Sequence, residues 1–140
     1  MAEFIVIEEG ASSDYEFQAS AETLEELFAI CGVATFNCIA DVHKVKAVEK
    51  IKFGVKAENL EDLLYAFLAE LIYIKDTEKL LLSKFAIDIK EGFKLKCQAF
   101  GEHINADKHE LKTDVKAVTY HQLKVEKTGN GYSAHVILDL

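Results

Sequence analysis

The sequence predicts an α+β fold, with two core helices packed on mainly antiparallel sheet. Three observations carry that expectation. Two segments place apolar residues at three- and four-residue steps, and the rest of the chain alternates with period two. The elements run strands, helix, strand, helix and then a series of hairpins, not the regular strand–helix repeat of a doubly wound parallel sheet. A chain of 140 residues suits one domain spanning 1–140, and at that length a core forms without staples.

Short strands are expected near Phe4–Glu8 and Tyr15–Ala19. The first helix is expected from Ala21 to about Ala40, where Leu24, Leu27, Phe28, Val33, Phe36 and Ile39 recur at helical spacing. Ser20 or Thr23 would cap it, with Glu22, Glu25 and Glu26 at the positive end of its dipole. Ile51, Phe53 and Val55 then alternate with lysine and glycine as a strand. The second helix is expected over Asn59–Ile74, with Asn59 as cap and a broad stripe from Leu60 to Ile72, which reads as the central core helix. Phe85, Ile87 and Ile89 face Phe93, Leu95, Cys97 and Ala99 across a Glu91-Gly92 hairpin turn. Val118 and Tyr120 lead to Leu123 and Val125, and Gly129-Asn130-Gly131 turns the chain into Tyr132–Leu138. The rhythm hints at an internal duplication, but no residue-level repeat supports it.

Charge and cysteine usage narrow the function. The net charge is −8, and all 16 basic residues are lysines. Phosphate backbones are held by Lys and Arg, and arginine is the usual bidentate reader of guanine. Strong direct nucleic-acid binding is therefore not expected, whereas a basic protein or a cation suits the balance. The N-terminus lacks the basic region of a signal peptide, and no stretch approaches the roughly 18 apolar residues of a membrane span. Cys31, Cys38 and Cys97 form no C-x-x-C pair, and an odd number does not suit a disulfide framework. The expectation is a soluble, cytoplasmic protein with reduced thiols and no membrane partner.

Phosphate-loop, nucleophile-elbow and zinc motifs are all missing. His109, between Lys108 and Glu110, reads as a surface or loop-anchoring histidine, and Cys31 and Cys38 share a helix face as core residues. Asp14 lies where a loop enters a strand, and Asp139 follows the last strand beside Leu140, whose α-carboxylate adds oxygens. Such hard donors suit Ca²⁺, Mg²⁺ or Mn²⁺. Composition does not select these two from the 24 acidic residues, and solvated strand ends are the plainer reading of them.

A resemblance does select them. Lys108-His109-Glu110 followed by Val115-Lys116-Ala117-Val118-Thr119-Tyr120-His121 is similar to the signature of the archease family, a KHE-type loop before a V-K-A-[VI]-T-Y-H strand. Glu61-Asp62-Leu63, Glu70-Leu71 and Asp76-Thr77-Glu78 resemble the family's second helix, and Val136–Leu140 resembles its C-terminal strand ending in Asp and an aliphatic residue. The family usually reads E-H-T-A-D at its first strand, where this chain has Gly10-Ala11-Ser12-Ser13-Asp14. The aspartate is kept and Ala11 replaces the histidine. Ala66-Phe67 stands where the family often has tryptophan.

The resemblance implies an archease-like domain that is not itself an enzyme. It implies an accessory to the GTP-dependent tRNA-splicing ligase, promoting ligase guanylylation and repeated turnover. It further implies a divalent cation, with Ca²⁺ ahead of Mg²⁺ or Mn²⁺, held by Asp14, Asp139 and Leu140, and a contact to ligase or nucleotide through Lys116. The alternatives are a chaperone-like modulator of RNA-modifying enzymes with a purely structural metal, and a free-standing hydrolase. The hydrolase has no nucleophile or second metal cluster to support it.

Overall fold

A computed structural model describes residues 2–7 and 14–140. The strands are β1 (Glu3–Ile7), β2 (Asp14–Ala21), β3 (Glu49–Lys56), β4 (Leu80–Lys90), β5 (Lys94–His103), β6 (Ala117–Val118), β7 (Lys124–Lys127) and β8 (Tyr132–Asp139). The helices are α1 (Leu24–Ile39) and α2 (Leu60–Glu78), with a short 3₁₀ turn at Val42–Lys44. Among the described residues, no helix is long and apolar enough to cross a membrane.

The strands form two antiparallel sheets. One has the order β1-β2-β8, with β6 and β7 both pairing the free edge of β8, and the other has the order β3-β5-β4. Both helices lie between them. On one side of α1 the Tyr15 hydroxyl donates to the Ala34 carbonyl at 3.0 Å. On its other side, Phe36 meets Phe85 of β4 with ring centroids 6.4 Å apart. Helix α2 bridges likewise: Phe67 packs on Phe53 and Phe85, while Glu61 accepts the Val125 N–H of β7 at 3.0 Å. One apolar cluster runs through all three layers. Each sheet therefore buries one face and leaves the other to solvent, as the period-two alternation requires.

The expected helices form, with shifted ends. Residues Ser20 and Ala21 are consumed by pairing with Ser133 and Tyr132 of β8, so the cap falls to Thr23, whose hydroxyl accepts the Glu26 N–H at 3.1 Å. Asn59 caps α2 through the Asp62 N–H at 2.8 Å. The helix continues one turn beyond Ile74 and stops where Lys79 turns left-handed at φ 57°. The second helix is less enclosed than its sequence suggests. Helix α1 has nine buried residues in sixteen, whereas α2 leaves Tyr73 at 61% exposure.

Strand β4 starts at Leu80, not near Phe85. Its first three residues are buried on both faces, because the Val45 segment covers the outer side and accepts the Ser83 hydroxyl at 3.2 Å. A register irregularity between Leu82 and Lys84 then restores alternation. The Glu91-Gly92 hairpin has a longer turn, with Gly92 at φ 83° and Phe93 at φ 53°. Tyr120 lies outside β6.

Candidate functional site

The β2–β8 ladder pairs eight residues, from Asp14 opposite Asp139 to Ala21 opposite Tyr132. Its register is pinned by Phe17 and Val136, both fully buried, since a one-residue slip would turn them to solvent. Asp14 and Asp139 are thereby direct cross-strand neighbours, a relation that sets Cβ atoms about 4.5–5.5 Å apart. Tyr15, Phe17, Val136 and Leu138 pack against the core, so strand alternation turns the two aspartates to the outer face. Two like charges facing each other across a ladder are destabilising unless neutralised.

Leu140 follows Asp139 and packs partly against the core. The Lys116 N–H donates to the Asp139 carbonyl at 2.8 Å, and Ala117 pairs with Asp139 on the side away from Asp14. The structure thus brings Asp14, Asp139, Leu140 and the Lys116 backbone to one sheet end. The donor set, the two aspartate carboxylates, matches a hard divalent cation in chemistry. It falls short in number, because Ca²⁺ takes six to eight oxygens. Among the described residues, no group of three or more His, Cys, Asp or Glu side chains is arranged to hold a metal. Gly10-Ala11-Ser12-Ser13, including the histidine-to-alanine departure at Ala11, lies outside the described residues.

On the same face Glu16 contacts His135 Nε2, and His135 Nδ1 donates to the Gln122 carbonyl at 2.8 Å. This pair ties β2, β8 and the turn before β7. It went unseen in the sequence because its partners lie 119 residues apart.

The signature loop is held by a carboxylate outside it. Glu102 of β5 accepts Lys108 Nζ on both oxygens, at 2.8 and 2.7 Å, and the Lys46 N–H at 2.8 Å. His109 is 5% exposed. Its Nδ1 accepts the Asn105 N–H at 3.0 Å, which leaves Nε2–H to donate to Glu102, also at 3.0 Å. Lys108, then the Lys46 N–H, hold the Glu102 carboxyl down to about 2, with His109 adding to them against burial. Both ring nitrogens of His109 are engaged, so it anchors the loop.

Lys75 makes a second fastening. Its side chain is 4% exposed and its ammonium donates to Asp76 and Asp114, each at 2.6 Å, and to the Val115 carbonyl at 3.3 Å. Burial alone would lower its pKa, but the two aspartates outweigh that and raise it. Tyr120 stacks flat on Tyr65 of α2, centroids 4.0 Å apart and planes 6° off parallel. The three cysteines are free and buried, and desolvation pushes each thiol up, Cys97 to about 12. None is poised as a nucleophile.

Comparison with known proteins agrees with this architecture. The sequence model of the archease protein family matches residues 6–140. A protein archease of Pyrococcus abyssi is 39% identical over 133 residues, covering 92% of this chain and 94% of its own. One from Methanosarcina mazei is 35% identical over 133 residues, covering 92% and 91%. The solution structure of Methanobacterium thermoautotrophicum protein 1598 superposes with a TM-score of 0.80 at 35% identity, covering 99% of this chain and 98% of that one. A crystal structure from Thermotoga maritima, described as an archease and possible chaperone, shares the fold with a TM-score of 0.62 at 23% identity, covering 96% and 94%.

Proposed function

The chain belongs to the archease family, and from that premise we propose that it is a non-enzymatic, cytoplasmic accessory of the GTP-dependent tRNA-splicing ligase. In this reading it promotes ligase guanylylation and multiple turnover. The observation that carries the proposal is the register pairing of Asp14 with Asp139. It sets two carboxylates, Leu140 and Lys116 at one exposed sheet end, where a divalent cation would neutralise the carboxylates and leave coordination positions for oxygens from outside the chain. Ca²⁺ is the first candidate, with Mg²⁺ or Mn²⁺ as substitutes. When bound, such an ion supplies Lewis-acid stabilisation to phosphate oxygens.

The chain's own residues position the rest. The Lys116 N–H fixes the last strand, the Glu102 network and Lys75 hold the loop leading to Lys116, and the Lys116 side chain stays exposed for ligase or nucleotide. A multiple-turnover ligation assay with purified ligase, GTP and RNA tests this. Asp14→Ala and Asp139→Ala are expected to abolish stimulation while keeping the wild-type circular dichroism. Full stimulation by both variants would overturn the site.

A second reading, a chaperone-like modulator with a structural metal, draws on the same pairing, because an ion there would also clip β2 to β8. It expects Ca²⁺ to raise the melting temperature without changing ligation kinetics.

A further inference from the structure

Beyond the end covered by the Val45 segment, the outer face of the β3–β5–β4 sheet is exposed, and its register aligns the outward residues in cross-strand rows. Lys50, Phe100 and Lys84 form the first, and Lys52, Gln98 and Ala86 the second. Gly54, Lys96 and Asp88 form the third, and Lys56, Lys94 and Lys90 the fourth. Seven of the 16 lysines therefore stand exposed on one face of a chain whose net charge is −8. The one carboxylate among them, Asp88, lies 3.3 Å from Lys90. The sheet separates charge that the whole-chain balance averages away. The aspartates of the other sheet face outward on the opposite side of the helix layer.

Outward side chains on such a face recur about every 7 Å along a strand and about 5 Å across strands, so an extended polyanion crossing it meets at least one lysine in every row. Gly54 and Ala86 carry almost no side chain, and with Lys52, Lys96, Gln98 and the ion-paired Asp88 around them they leave a shallow groove. At its end Phe100, half-buried, sits between Lys50 and Lys84. A basic track beside an aromatic ring on an open antiparallel sheet is the arrangement that captures single-stranded nucleic acid, phosphates on lysine and a base on the ring. An acidic protein matches the charge but not the composition, because protein interfaces deplete lysine at their centres.

We propose that this face binds single-stranded RNA, with the lysine rows on the phosphates and Phe100 beneath one base. The choice of RNA over DNA rests on the RNA-ligase reading above, whereas the binding itself is measured without ligase. A fluorescein-labelled single-stranded RNA of about 12 nucleotides, titrated with the full chain in 50 mM salt, tests it by fluorescence anisotropy. Four phosphate contacts would give a slope of log affinity against log salt near −3, at about −0.7 per phosphate.

The double variant Lys52→Glu/Lys96→Glu is expected to weaken binding at least tenfold. Lys124→Glu/Lys127→Glu makes the same change of charge on β7 and is expected to stay within twofold of wild type. Phe100→Leu, which keeps the packing, should weaken binding about fivefold, and melting temperatures verify that each variant folds. Absent binding, equal loss in both lysine pairs, or displacement of the RNA by poly-glutamate at equal charge would each overturn the proposal, the last in favour of an acidic protein. Asp139→Ala should bind RNA as wild type does, so a failed ligase assay and a failed RNA titration are told apart.

Discussion

Replacing Glu102 with glutamine should destabilise the protein in a way that acid erases. The side chain is 13% exposed and takes hydrogen bonds from Lys108, Lys46 and His109. Its pKa falls from 4.5 to about 2 in the fold, which by linkage sets an upper bound of about 3 kcal/mol at neutral pH. Lys108 is 36% exposed, and solvent screening reduces that to about 1.5 kcal/mol. An unfolding entropy of about 2.1 cal/mol/K per residue converts this to a melting temperature lowered by about 5 °C. Because the folded pKa is depressed, the contribution is complete above about pH 5. It is lost as pH falls through 4.5 towards 2. Melting curves of wild type and Glu102→Gln between pH 7 and 2.5 should therefore converge as acid is added. A gap that is missing at pH 7, or that stays constant to pH 2.5, would refute the role given to this carboxylate.

Two further substitutions probe the frame around the site. Lys75→Met keeps the buried stem but removes the ammonium that joins Asp76, Asp114 and Val115. Because both aspartates keep access to water, the loss should be about 1–2 kcal/mol rather than that of a fully buried pair, read by urea unfolding, and a neutral result would make the bridge ornamental. Gly101→Ala would put a methyl group 1.8 Å from the Leu81 carbonyl oxygen. Strands β4 and β5 must part there, so a loss of about 3 kcal/mol is expected in the same assay, and wild-type stability would show that the approach is looser than described.

Local patterns made the helices legible. Leu63, Leu64, Phe67, Leu68 and Leu71 repeat at helical steps and are all buried, and Asn59 caps α2 as its side chain suggests. What stayed hidden depends on pairing between distant segments. The split into two sheets is one case, because alternation along β3 or β8 states a face but names no neighbour. Leu80–Leu82 lost their strand signal because both sides are covered. The enclosure of α1 was masked by Thr35 and Asn37 within its apolar pattern, although the Thr35 hydroxyl is satisfied by the Cys31 carbonyl at 2.9 Å. At the candidate site, composition gave no reason to prefer Asp14 and Asp139, and the family signature did. Glu16–His135 and Lys75–Asp114 had no motif to reveal them. The lysines of β3 and β5 were visible as alternation, but only register adds them into one surface.

The central position of β8 has a kinetic consequence. Strands β3, β4 and β5, with α2, form from one continuous stretch, whereas β2 cannot find its partner until more than a hundred intervening residues have been ordered or looped out. Closure of so long a loop is costly in chain entropy and slows a folding reaction. The β3–β5–β4 sheet should therefore protect its amides first in a pulse-labelling experiment, with β1 and β2 following as β8 zips in between β2 and the β6–β7 edge.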